Sequence, residues 1–328
     1  MTGGKRILSG MRPTGPLHLG NLHGALANWV EMQDSYDCFF FIADWHALTS
    51  DYENPGRISE YVREMMIDWL SAGLSPDRST LFVQSHIKEH AELFLLLSMI
   101  TPVPWLERNP TYKDQIDQIK NKDLSTFGFL GYPVLQAADI IMYKANGVPV
   151  GIDQVPHVEI TREIARRFNY LYGEVFPEPE AILTKTSKIL GIDRRKMSKS
   201  YENAIYLSDS PDDIASKVAR MITDPQRARR SDPGDPEVCN VFEFLKTYAD
   251  RETVEDIGTA CRSAQVGCVE CKKIMAQNLI KALEPIRRKR EDYKAHPDLV
   301  DDVIKAGGDK ARRVARQTME AVRAVMKI

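Results

Sequence analysis

An unbroken apolar run, CFFFIA at positions 38–43, is flanked on both sides by segments whose apolar residues recur at helical spacing. Leu19, Leu22, Leu26 and Trp29 precede it, and Ile58, Val62, Met65 and Trp69 come after it. A strand that is apolar at every position must bury both faces, which only a parallel sheet covered by helices allows. The alternation continues. RILSGM (6–11), TLFVQS (80–85) and GVPVG (147–151) read as further strands, while HAELFLLLSMI (90–100), YPVLQAADIIMY (132–143) and HVEITREIARRF (157–168) read as helices. The order predicts an α/β fold, a Rossmann-like doubly wound parallel sheet whose ligands sit beyond the carboxyl ends of its strands.

The rhythm breaks at 102–126, a polar, proline-marked stretch that reads as an insertion, and strand signals fade after residue 188. There Ser210 is an expected helix N-cap with Pro211 in the first turn, and most of the remaining chain reads as helices. The 328 residues therefore divide into an α/β domain, 1–187, and a helical domain, 188–328. A formal net charge of −2 excludes a wholesale basic, nucleic-acid-coating protein. Any nucleic-acid contact must come from local runs such as Arg227–Arg230, Arg287–Arg290, or Arg312, Arg313 and Arg316. The longest apolar run is too short to span a bilayer, and a cytoplasmic chain with no membrane partner is expected.

Three stretches carry chemistry. PTGPLHLGN (13–21) falls where the first strand hands over to the first helix, and glycine there lets a phosphate approach the backbone N–H groups of a helix N-terminus. KMSKS (196–200) places Lys196 and Lys199 in one loop with only Met197 to bury, and two mobile ammonium groups can follow charge onto a departing phosphate. Cys239, Cys261, Cys268 and Cys271 form the pattern C-x21-C-x6-C-x2-C, whereas Cys38 lies alone in an apolar strand. Four soft thiolates suit tetrahedral zinc or a 4Fe–4S cluster equally well.

Taken together, HLGN and KMSKS resemble the two signatures of class I aminoacyl-tRNA synthetases, with Leu19 and Asn21 departing from the first. SGMRPTGPLHLGN, ADWHALTS, YPVLQAADII, VPVGIDQVPHVEITREIARRFN and KMSKS succeed one another as in bacterial tryptophanyl-tRNA synthetases. The resemblance implies a Rossmann-like catalytic domain followed by an all-helical anticodon-binding domain, working as a homodimer. It implies activation of L-tryptophan by ATP with Mg2+, through tryptophanyl-adenylate, and transfer of the acyl group to tRNA(Trp). Lys196 and Lys199 would contact the phosphates with Ser198 and Met197 beside them, and His18, Gly20 and Asn21 would hold the nucleotide from the other side. Arg12, where many relatives carry glutamine, would lie near the phosphates or the tRNA end. Asp153 and Gln154 would lie near the ribose and the amino acid.

Indole offers one N–H donor and no acceptor, so its pocket needs a buried acceptor. The resemblance gives that part to Asp139, with Tyr132, Gln136 and His46 around the substrate. Gln136 stands where many tryptophan enzymes carry methionine, and the spacing of Tyr132, Gln136 and Asp139 is similar to that of tyrosyl-tRNA synthetases, so tyrosine is the alternative substrate. The cysteine spacing is similar to that of a subset with a 4Fe–4S cluster in the anticodon-binding domain. Another nucleotidyl transferase would leave KMSKS without a purpose, and a non-catalytic iron–sulfur or RNA-binding descendant would not need His18, Lys196 or Asp153.

Overall fold

The computed structural model describes residues 5–110, 112, 123–184 and 189–328. The expected boundary at 187/188 and, of the expected insertion at 102–126, residues 111 and 113–122 lie outside the described residues. The chain forms two compact units, one of residues 1–15, 28–185 and 296–328, the other of residues 16–27 and 186–295.

The first unit is built on five parallel strands: β1 (Arg6–Met11), β2 (Asp37–Ile42), β3 (Ser79–Val83), β4 (Gly147–Val150) and β5 (Glu180–Leu183). Their order across the sheet is β3-β2-β1-β4-β5. The order reverses between β1 and β4, which is where a doubly wound sheet opens a crevice for ligands. β1 and β2 run in register from Arg6 opposite Asp37 to Met11 opposite Ile42. As the apolar run demands, β2 is buried from Cys38 onward, and Phe40 stacks on Trp29 at 4.6 Å between ring centroids. β5 was not legible in the sequence: it is a half-exposed edge strand, and EAIL has no hydrophobic pattern of its own.

The helices Ile58–Ala72, Glu89–Ser98, Phe127–Met142 and Val155–Tyr172 fall where the periodicity places them, and Val158, Ile160, Ile164 and Phe168 are all buried. The last helix, Pro297–Met326, also belongs to this unit and contributes Ala311, Ala315, Met319 and Val322 to its core. It approaches β3 so closely that a Cβ on Gly307 would lie 1.8 Å from the carbonyl oxygen of Leu81. Arg312 donates to the carbonyl of His86 at 3.0 Å, and Arg316 and Arg323 pair with Glu89 and Glu92. Two arginines of that basic run thus tie the helix to its own unit.

The second unit is helical: Pro211–Ala219, Asn240–Tyr248, Arg251–Arg262 and Cys268–Ala295. Ser210 caps the first of these by accepting from Asp213 N at 3.1 Å, and Asp213 accepts in return from Ser210 N at 3.2 Å. That reciprocal pair satisfies donors a helix start would otherwise leave open. Residues 16–27 join this unit through an antiparallel bridge between His18 and Tyr206, with Leu19 N donating to Ile205 O at 3.0 Å. After a turn of α-helix at Leu19–Asn21 the chain is π-helical over Leu22–Leu26. The leucine spacing predicts an ordinary helix here. π turns are rare and concentrate where a chain is shaped for function.

Candidate active site

In the first unit, the polar residues gather at the carboxyl ends of the strands. Arg12 comes directly after β1, His46 lies on the short helix after β2, Gln84 comes after β3, and Asp153 and Gln154 sit on the 3-10 turn after β4. Arg12 and Asp153 are exposed, and Gln154 donates to Asp153 at 3.1 Å.

Behind them stands Asp139, fully buried on Phe127–Met142. His46 Nε2 lies 2.8 Å from Oδ2, His90 Nδ1 lies 2.6 Å from Oδ1, and Gln84 Nε2 reaches both oxygens at 2.8 and 2.9 Å. Burial alone pushes this carboxyl up, yet the electrostatic attraction of His90 and the hydrogen bonds from His46 and His90 bring it below the ordinary carboxylate value. It is an anion. His90 is itself fully buried, and its Nε2 lies 2.7 Å from the hydroxyl of Tyr143. Earlier on the same helix, Tyr132 places its hydroxyl 3.2 Å from His157 Nε2, and Asn109 Nδ2 lies 3.2 Å from His157 Nδ1. Burial holds His157 down to about 4, so at neutral pH it is an uncharged partner for the phenol. Gln136 is half-buried between these two residues in sequence.

In the second unit, one buried side chain ties together several points of the KMSKS loop. Asn203, 1% exposed, accepts from Ser198 N at 2.8 Å and donates to Lys196 O at 3.2 Å and to Asp193 Oδ1 at 2.7 Å. Gly191 makes room, since a Cβ there would fall 2.3 Å from Asn203 Cγ. Met197 is buried, which leaves Lys196 exposed and Lys199 half-buried on either side of it. Burial draws Lys199 down to about 8. Asn21 Oδ1 accepts from His18 N at 3.0 Å, and a Cβ on Gly20 would lie 3.0 Å from the His18 ring and 3.7 Å from Met197 Cβ. The two signature stretches, 178 residues apart as His18 and Lys196, are therefore neighbours in this unit. Burial first and the Lys199 ammonium second bring His18 down to about 4, and its buried Nδ1 has no hydrogen-bond partner among the described residues. A buried ring nitrogen left open is costly unless a ligand answers it.

Residues 2–284 match the model of the class I tRNA synthetases for tryptophan and tyrosine. The tryptophan–tRNA ligase of Thermotoga maritima is 54% identical, an alignment that covers 98% of this chain and 99% of that one. The tryptophan–tRNA ligase of Aquifex aeolicus is 46% identical, covering 98% of this chain and all of its own. The chain belongs to the class I tryptophanyl-tRNA synthetases. It is an enzyme that ligates tryptophan to tRNA with ATP as co-substrate, and its five-stranded parallel sheet is the Rossmann-like sheet of that class. The tryptophanyl-tRNA synthetase of Campylobacter jejuni, solved with ADP and tryptophan, superposes with a TM-score of 0.92 at 32% identity over 98% of this chain and 100% of that one.

Against the expectations for a synthetase of this class, the site residues fall into two groups. Asp139, His46 and Tyr132 share the first unit with Asp153, Gln154 and Arg12, while His18, Gly20, Asn21 and KMSKS share the second. Four residues escaped the sequence reading: Gln84, His90 and Tyr143 around Asp139, and Asn203 behind the loop. Gln84 alone carried a signal, since it stands at the end of an apolar strand.

The four cysteines also lie in the second unit. Cys239 and Cys271 are buried, Cys261 and Cys268 half-buried, and all are free thiols. Burial, and after it Cys239, Cys261 and Cys268, raises Cys271 to about 12, so the four sulfurs lie within electrostatic reach of one another. Cys239 stands at the N-cap of Asn240–Tyr248, where burial raises its thiol and the backbone N–H groups of Phe242 and Val241 pull the other way, and Arg227 Nη1 lies 3.7 Å from Cys261 Sγ. Those N–H groups would stabilise thiolates. Among the described residues, no three His, Cys, Asp or Glu side chains converge on a single ion. Arg227 also donates to the carbonyls of Arg230 and Val266 at 2.8 Å each, so the first arginine of its basic run is a strut.

Proposed function

We propose that tryptophan is activated by attack of its carboxylate on the α-phosphorus of ATP, taken as its magnesium salt, and that Lys196 and Lys199 stabilise the departing pyrophosphate. The supporting observation is the open Nδ1 of His18 beside a loop held by Asn203. A loop fixed before the reaction spends little reorganisation when charge develops. His18, Gly20, Asn21, Met197 and Ser198 line the nucleotide contact, and Arg12 and Asp153 are further ATP-binding residues. No covalent enzyme intermediate is needed, because positioning and charge stabilisation suffice.

Asp139 reads the indole N–H. Its oxygens already accept from three side chains, which fills the roughly four acceptor sites of a carboxylate. Of those three, only His46 is not fully buried, with 11% of its side chain exposed. His46 is the donor that yields Oδ2 to the indole. Tyr132, Gln136 and Gln154 complete the amino-acid contacts.

The helices of the second unit bind the anticodon, and the four cysteines hold a 4Fe–4S cluster. Four cysteine thiols in one unit, Cys239, Cys261, Cys268 and Cys271, supply the ligand set that such a cluster takes. When bound, the cluster ties the helix starts at Cys239 and Cys268 together. The enzyme is a cytoplasmic homodimer. The exposed apolar side chains Leu95, Met99, Val103 and Phe127 of the first unit support a covered face.

Amino-acid-dependent exchange between ATP and pyrophosphate, run with tryptophan and tyrosine side by side and followed by charging of tRNA(Trp), tests the reading. Exchange with tryptophan alone is expected. Exchange with tyrosine at a comparable rate would overturn the pocket assignment.

A further inference from the structure

Tyr143, His90 and Asp139 form a continuous buried chain in the first unit: Tyr143 hydroxyl to His90 Nε2 at 2.7 Å, and His90 Nδ1 to Asp139 Oδ1 at 2.6 Å. All three side chains are essentially without solvent exposure. None of the chemistry described above uses Tyr143 or His90. A carboxylate accepts but does not donate, so the proton between His90 and Asp139 belongs to Nδ1. The ring's other nitrogen, Nε2, meets the Tyr143 hydroxyl, which burial keeps protonated. The ring is thereby held in one orientation, further packed by Phe41 and Phe82 at 6.3 and 6.4 Å between centroids. Gln84 cannot take over this part, because its amide bridges both oxygens and fixes neither in preference.

We propose that His90, oriented by Tyr143, is the positioning residue for indole recognition: it pins Oδ1 of Asp139 and so leaves Oδ2 as the oxygen the substrate N–H meets. The arrangement obeys a general rule, that a group reading a single hydrogen bond must itself be held by further ones. The inference rests on Asp139 being the indole reader, and the test separates the two.

The probe is tryptophan against its benzothiophene analogue, in which sulfur replaces the N–H while ring size is nearly kept. Wild-type enzyme should favour tryptophan strongly in kcat/KM for pyrophosphate exchange. Tyr143→Phe and His90→Leu should each narrow that preference at least ten-fold, chiefly through KM for tryptophan. His90→Asn, whose amide can stand where Nδ1–H stood, should restore most of it. Equal use of both amino acids by wild-type enzyme would remove the Asp139 reading and this inference with it. Strong wild-type preference that survives unchanged in Tyr143→Phe and His90→Leu would overturn the inference alone. Because His90→Leu can fail to fold, nitrogen-15 NMR of wild-type imidazoles provides an independent check. His90 must carry a proton on Nδ1, and a ring bare at Nδ1 would end the proposal.

Discussion

The backbone N–H of Ser198 donates to Oδ1 of Asn203 over 2.8 Å, and the same side-chain amide donates back to the carbonyl of Lys196 at 3.2 Å. One buried side chain therefore anchors the KMSKS loop at both Lys196 and Ser198. Asn203→Ala would orphan an N–H and a carbonyl, at a cost of about 1–3 kcal/mol. We expect adenylate formation to slow at least ten-fold, while tryptophan binding, measured by equilibrium titration, changes little. Unchanged single-turnover rates would show that the loop does not need this anchor.

Lys199 is held near 8 by burial, so in the free enzyme its charge is lost as pH rises through that value. Since kcat/KM for ATP reports the free enzyme, it should fall on the alkaline side of about pH 8. Lys199→Arg should remove that limb, because guanidinium does not titrate there. His18, near 4, is neutral throughout and should add no limb between pH 5 and 7. A profile flat to pH 9.5 would contradict the phosphate role of Lys199.

Asp139→Asn removes the charge on which two imidazoles and one amide converge. Breaking a buried pair of this kind costs about 3–5 kcal/mol. Tryptophan-dependent exchange should fall by more than a hundred-fold, with no gain for tyrosine. A gain for tyrosine would mean that Asp139 had been excluding the phenol.

Cys268→Ser should abolish the broad visible absorbance of protein purified without oxygen and lower its iron and sulfide content. Wild-type protein that holds zinc and neither iron nor sulfide would assign the four thiols to zinc.

Gly307→Val would drive a side chain into the Leu81 carbonyl, 1.8 Å from the position of the added Cβ. The helix Pro297–Met326 would have to move off β3, and overpacking of this kind costs about 1–3 kcal/mol or more. A thermal melt should show Tm lowered by several degrees. Gly308→Ala, where a Cβ meets nothing within 4 Å, should leave Tm the same or slightly higher.

The sequence by itself determined whatever short-range pattern encodes. CFFFIA had to be a doubly buried strand, Ile160 and Ile164 had to face a core, and Ser210 had to cap a helix, since each is dictated by the chemistry of residues within a turn or two. HLGN and KMSKS carried the class because their spacing to neighbouring elements is written in the chain. Only the tertiary structure decided who meets whom across long separations. His90 and Tyr143 look like ordinary core residues until a separation of 53 positions folds away and puts them on one hydrogen bond. Arg312, Arg316 and Arg227 read as solvent-facing charge, yet they hold a carbonyl, a carboxylate and a thiol that sequence distance conceals. β5 and the π turn at 22–26 went unseen because an edge strand needs no apolar run and an extra residue in a turn leaves no mark on periodicity. Hydrophobic burial is legible because it repeats along the chain. Hydrogen-bond partnership is not, because it depends on atoms brought together only when the core has closed.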